Sequence, residues 1–395
     1  MKGIGLFIGK DKDDQSLSIN TNKSHAIFIC GKRGAGKSYT MGVIAEELVQ
    51  KARGIVPIIV DPIGVYWTMA KENDLEDVMD WDTMPQGFPV HLILPGDPKR
   101  IYGEELLDEM EYLGIKVIPL KIPPYDLEPD EWLDLYGLSL TDAMGIALFR
   151  ATAKLYSKKE DEGFRYNFDN VIEEILNDEY AHERTKVALM SRLDVSKRWG
   201  IFGEEAWRTF DLFQPGVLNV IDLSHLDPHR FGLRQFILSI ICKKLFYERI
   251  RARKLEEFGK IVDTPRIWLL IDEAHQFIPT GMTTASKPIL IRWVKEGRQP
   301  GLSIVLATQQ PSTIDKEVLS QCDIVISHRV TMKLDLDALN ALSHEYMKLE
   351  FKEYMKKIKN PGEAIYLDDE AEKIKLVRIR KRMSRHGGRE IERMY

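Results

Sequence analysis

The chain has 395 residues, 44% hydrophobic and 30% charged, with a formal net charge of −5 and a pI near 6.1. That balance belongs to a folded globular protein and excludes a disordered or low-complexity chain. No apolar run approaches the roughly 20 residues of a membrane span, residues 1–14 lack the apolar heart of a signal peptide, and the acidic total carries no footprint of nucleic acid.

Residues 1–24 read as a polar lead-in with one strand over Ile4–Ile8. A strand–helix alternation then begins with HAIFIC (25–30), a glycine-rich loop and a helix over 38–52. GIVPIIVDP (54–62) and FPVHLIL (88–94) predict further strands. From Pro98 to Phe213 the apolar spacing becomes helical, as in DAMGIALFRATAKLY and ERTKVALMSRLDVSK, and predicts a helical insertion. Strands return at GVLNVIDL (216–223), followed by an amphipathic helix over 229–256. RIWLLIDEAH, LSIVLATQQ and CDIVISHRV then close the core. Apolar runs without alternating polarity, separated by helices, predict an α/β fold with a mostly parallel sheet covered on both faces. The expected division is a core over 25–97 and 214–370, an insertion over 98–213, and a basic tail over 371–395. The aromatics of the insertion (Tyr125, Trp132, Tyr136, Phe149, Tyr156) read as packing residues. Cys30, Cys242 and Cys322 are scattered without a CxxC pair, as free thiols of a reducing, cytoplasmic setting would be.

The stretch GKRGAGKSYT fits G-x-x-x-x-G-K-[ST], with a strand before it and a helix after. Gly31, Arg33, Gly34, Ala35, Gly36, Lys37, Ser38 and Tyr39 are the candidate nucleotide-binding residues. Glycines let successive N–H groups turn inward on phosphate oxygens, and the helix N-terminus adds partial positive charge. Lys37 would reach the β- and γ-phosphates of ATP, and the Ser38 hydroxyl would ligate Mg²⁺. In WLLIDEAH, four apolar residues place Asp272 and Glu273 at the end of a buried strand. Asp272 is the second expected Mg²⁺ residue, and Glu273 the base that orients and deprotonates water. Gln309 ends the strand LSIVLATQQ, either as a sensor of the γ-phosphate or as a polar loop residue. Arg298, before that strand, falls at the far edge of the domain. There it is either a solvated arginine or one that enters a neighbour's site, with Arg329 as its rival.

GKRGAGKS, IIVDPIGVYW, WLLIDEAHQF, EGRQPGLSIVLATQQPS and VLSQCDIVISHRV, in this order, resemble the HerA branch of the FtsK–HerA P-loop ATPases. The resemblance implies a RecA-like (ASCE) core and a homohexameric ring moving on double-stranded DNA with ATP and Mg²⁺. It makes Arg298 the trans finger and Gln309 the sensor, and puts Asp61 near the site. It also brings a NurA-type nuclease as a partner. That partnership is weakened by the 24 residues before the first core strand, too few for the family's N-terminal β-barrel. Val65 and Gln310 stand where many relatives carry Glu and Arg. Lys287 in GMTTASKP and the basic tail are the candidate DNA contacts, the tail reading alternatively as a strand, IKLVRIRK, with a frayed end, or as a segment that packs on the adjacent subunit's site. The alternative function is an ATP-dependent oligomeric switch or defence-complex module that does not translocate DNA. A conjugation-type pump would be expected to add a membrane segment.

Overall fold

The computed structural model describes residues 4–81, 83–227, 232–342 and 348–387. Among these, twelve strands form one sheet. In chain order they are β1 (Gly5–Asp11), β2 (Ser16–Asn20), β3 (Ala26–Cys30), β4 (Ile55–Asp61), β5 (Val90–Pro95) and β6 (Ile115–Leu120), then β7 (Leu218–Asp222), β8 (Arg266–Ile271), β9 (Leu302–Thr308), β10 (Ile324–Ser327), β11 (Glu363–Asp368) and β12 (Lys373–Ile379). Across the sheet the order is β2-β1-β12-β11-β10-β3-β9-β8-β4-β7-β5-β6. From β10 to β6 every neighbouring pair is parallel. From β2 to β10 the pairs are antiparallel.

The parallel strands are apolar throughout because both faces are covered. Side chains alternate between two cores. Phe28 and Ile58 pack on one face with Phe236 of the helix Leu233–Glu257, and Ile27 and Ile29 pack on the other with Val43 and Leu48 of the helix Lys37–Lys51 (α1). All three cysteines are free thiols. No helix among the described residues is long and apolar enough to cross a membrane.

Three boundaries differ from the sequence reading. The lead-in holds two strands, not one, and they pair with each other and with β12. The segment 98–213 is not wholly helical: β6 lies parallel to β5 at the sheet's edge, with the helix Pro98–Tyr112 before it and the remaining helices after it. The basic tail begins as β12, a full partner of β11 in register Glu363↔Arg378 to Asp368↔Lys373. The strand reading of IKLVRIRK therefore holds through Ile379; Arg389 and Arg393 lie outside the described residues, as do 229–231 at the start of the expected long helix.

The insertion packs as expected from its aromatics. Trp132 is fully buried and meets Phe168 edge-on at 5.3 Å, while the Tyr136 hydroxyl donates to Ser196 Oγ at 2.8 Å. Truncating a buried Trp of this kind costs about 3–5 kcal/mol.

Candidate nucleotide site

β3 runs directly into the glycine loop. Gly31, Gly34 and Gly36 have φ of 155°, 74° and 113°, values that side chains other than glycine rarely adopt. Two of them also press on His328: a Cβ on Gly31 would lie 2.6 Å from His328 Cβ, and one on Gly36 3.3 Å from Cε1. His328 is buried after β10, within hydrogen-bond reach of Thr40 Oγ1 at 2.8 Å and of the Glu363 carbonyl at 3.0 Å. Burial holds its imidazole down to about 4. It acts as a neutral strut beneath the loop. The sequence reading passed over it in SHRV in favour of the exposed Arg329.

Lys37 opens α1 and is buried, its Nζ resting 3.4 Å from the Lys32 carbonyl. Burial lowers its pKa, while the Glu273 and Asp272 carboxylates pull in the opposite direction.

β8 delivers the acid pair. Asp272 Oδ2 accepts from Ser38 Oγ at 2.7 Å and from the Tyr66 hydroxyl at 2.9 Å. Its Oδ1 accepts from the Glu273 N–H at 2.9 Å. Ser38 and Asp272 thus converge from separate elements as two hard oxygen donors, the donor type Mg²⁺ takes beside water and phosphate.

Glu273 sits in the left-handed region, at φ 46° and ψ 47°. Such a conformation costs a non-glycine residue about 1–3 kcal/mol and is found where surroundings enforce it. One carboxylate oxygen accepts from Gln309 Nε2. The other is buried without a hydrogen bond and lies 3.3 Å from His275 Nδ1. Burial lowers the His275 pKa against the pull of Glu273. An unsatisfied carboxylate oxygen in a cavity wall is suited to accept from a water.

The ends of β3, β8 and β9 therefore bring together Lys37, Ser38, Asp272, Glu273 and Gln309. A cavity of about 610 Å³ opens on Lys37, Ser38, Glu273 and Gln309, lined also by Arg33, Gly34, Gly36 and Tyr39, with Asp272 buried behind Ser38. Ala35 is buried in the loop itself. Asp61 ends β4 beside them but is spent on local order: its oxygens accept the backbone N–H groups of Ile63, Gly64, Val65 and Tyr66 at 2.7–3.1 Å. Burial and the nearby Asp222 carboxylate push it up to about 7 against those donors. The turn it organises presents Tyr66 to Asp272, a link invisible in IIVDPIGVYW.

Arg298 is not in this group. It precedes β9, whose seven residues separate it from Gln309 by about 20 Å at 3.3 Å per residue. It pairs with Glu370, its side chain 65% exposed. A second cavity, of about 940 Å³, surrounds it with Arg249, Arg253 and Arg266. Arg329 is exposed at the nucleotide end instead, its carbonyl accepting from the Lys32 N–H at 2.9 Å. Lys287 is tied inward, to Asp315 at 2.7 Å and to the Pro279 carbonyl at 2.9 Å.

The family model for the central domain of the helicase HerA matches residues 3–245. That for zonular occludens toxin (Zot) matches residues 247–373. The DNA double-strand break repair helicase HerA of Pyrococcus furiosus is 24% identical over 396 residues, covering 87% of this chain and 63% of that protein. A Methanocaldococcus jannaschii protein described as a probable helicase is 24% identical over 398 residues, covering 98% of this chain and 68% of its own. Among solved structures, VirB4 of Thermoanaerobacter pseudethanolicus superposes with a TM-score of 0.62 at 16% identity, covering 96% of this chain and 97% of that one. The bacterial conjugative coupling protein TrwBΔN70 gives 0.54 at 13%, covering 92% and 87%. At these identities the structural likeness is one of fold.

Proposed function

The chain belongs to the family of the HerA helicase central domain, and from that premise we propose that it is an ATP-hydrolysing motor that moves on double-stranded DNA as a ring, expected to be a homohexamer. One observation carries the reading. The phosphate loop, the Mg²⁺ residues, the base and the sensor share one end of the sheet, while Arg298 is exposed at the other.

In this reading the loop N–H groups and Lys37 bind the triphosphate, and Ser38 and Asp272 hold Mg²⁺, which neutralises charge on the phosphates when bound. Glu273, strained and half satisfied, orients water and takes its proton. Gln309 holds Glu273 in the resting site and exchanges that bond for the γ-phosphate or the water. Arg298 cannot serve its own site across the length of β9, so it completes a neighbour's. Its bond to Glu370 is exposed and worth at most about 1 kcal/mol, which a phosphate outbids. The relatives' names support DNA as the track. A nuclease partner of the NurA type remains a secondary expectation with no residue here assigned to it.

The test is ATP turnover with and without linear duplex DNA across a salt series, beside particle size with and without ATP. A motor on DNA shows turnover that rises with duplex and loses the rise as salt releases the phosphate contacts. Turnover indifferent to DNA at low salt would overturn this function in favour of a switch answering to a protein partner.

A further inference from the structure

The cavity that starts at the phosphate loop continues past it. Beyond Ser38 its wall is made by Tyr39, Trp81, Arg378, Lys381 and His386. Three of these belong to β12 and the strap that follows it, the stretch the sequence presented as a basic tail.

The strap is built into the fold. Arg380 and Arg382 are buried, at 0% and 1%. Arg380 Nη1 reaches Glu46 Oε2 at 2.8 Å and its Nη2 reaches Glu47 Oε1 at 3.1 Å, both carboxylates belonging to α1. Glu46 also accepts from the N–H groups of Met383 and Ser384 and from the Ser384 hydroxyl, at 2.6–3.1 Å. The Arg382 side chain passes under Gly42, where a Cβ would come within 2.8 Å of it. On its other side, the Asn73 amide donates to the Arg382 carbonyl, and the Gln86 N–H to that of Met383, each at 2.9 Å. The helix that carries the phosphate loop is thereby clamped to this strap.

The clamp sets the far wall. The Arg382 N–H donates to the Tyr39 hydroxyl at 2.6 Å, and the His386 ring meets the Tyr39 edge at 5.6 Å. The Arg378 guanidinium lies 4.6 Å over the Trp81 ring. Arg378 and Lys381 are exposed to the cavity side of the molecule, and Tyr39 and His386 are half-buried. The phosphate end is rich in N–H donors and one buried cation. The far end instead offers the Tyr39 and His386 rings and two exposed cations, Lys381 and the Arg378 guanidinium that covers Trp81. Rings accept a base by stacking, and cations suit the electron-rich face and the oxygens of a ribose. At about 610 Å³ the cavity lies within the roughly 300–1,000 Å³ of small-molecule sites, with room beyond a bare triphosphate.

We infer that the strap Arg378–His386, with Tyr39 and Trp81, is the nucleoside wall of the site, so that it recognises the purine and ribose rather than phosphate alone. This inference rests on the reading of the loop as an ATP site. His386 and Tyr39 take the base; Lys381 and Arg378 take the ribose side. The strap therefore determines affinity for the nucleotide without touching its γ-phosphate.

Calorimetric titration with ATP and with inorganic tripolyphosphate tests it, on the full chain and on Lys381→Ala and His386→Ala. At about 0.15 M salt, charges more than ~8 Å away are largely screened. Each substitution is expected to weaken ATP about tenfold, the worth of one lost stacking or cation contact, and tripolyphosphate by less than about twofold. Unchanged ATP affinity would overturn the inference, as would equal losses for both ligands. A wild-type chain that binds neither ligand would overturn the phosphate site itself, and this wall with it. Retained tripolyphosphate binding also shows that each variant is folded.

Discussion

Glu46→Ala probes the clamp between α1 and the strap. Glu46 is fully buried and answers two buried guanidiniums, with Arg380 bonded at 2.8 Å and Arg382 Nε in ion-pair range at 3.5 Å. Removing one side of a buried ion pair leaves a desolvated charge and costs about 3–5 kcal/mol. At about 2.1 cal/mol/K per residue, 395 residues unfolding together have an entropy near 0.83 kcal/mol/K, so the expected loss in Tm is about 4–6 °C. Glu46→Gln keeps acceptors for Ser384 and loses the charge, and should fall between wild type and Glu46→Ala. Scanning calorimetry reads the shift directly, and a nucleotide titration reads its consequence, weaker ATP binding at temperatures well below Tm. A Glu46→Ala protein melting within about 1 °C of wild type would refute the view that this carboxylate holds the strap.

Lys37→Ala should abolish nucleotide binding or turnover, checked by titration and phosphate release. Glu273→Gln should bind ATP while turning over about 10²–10⁴-fold more slowly, the worth of a positioned base; turnover near wild type would remove that role. Arg298→Ala should bind ATP normally yet lose about 10³–10⁵ in turnover if its guanidinium acts across an interface, and mixing it with Lys37→Ala should restore some activity through mixed junctions. His328 is kept neutral down to about 4 in the folded chain against about 6.5 when unfolded, so the unfolded state takes up a proton first as pH falls. Its contribution is full above about pH 6.5 and shrinks toward pH 4, by about 3 kcal/mol. Urea midpoints of His328→Gln against wild type should converge over that window, and parallel curves would contradict the buried neutral imidazole.

The placement of the glycine loop and the acid pair was legible because their patterns are local. A run of apolar residues, a glycine at a fixed offset and Lys-Ser leave few alternatives, and WLLI before Asp272 fixes where the carboxylates emerge. What escaped the sequence was held by distant partners. Arg380 and Arg382 look like a solvated basic run until Glu46 is placed beside them, 334 positions away from Arg380. β6 was hidden in a helical stretch because Lys116 and Pro119 interrupt its apolar pattern, which an edge strand tolerates. His328 gave no signal of its own, since its function is to fill the space that Gly31 and Gly36 leave. The insertion's aromatics were read correctly as packing because nothing about them required a ligand.

The pairing of β1 with β12 has a consequence for how the molecule is made. Arg380 Nε donates to the Phe7 carbonyl across 373 positions, so β1 waits for a strand made long after it. Contacts this remote in sequence are slow to form. A nascent chain would display the glycine loop early, yet complete the wall made by Arg378, Lys381 and His386 only after those residues had emerged.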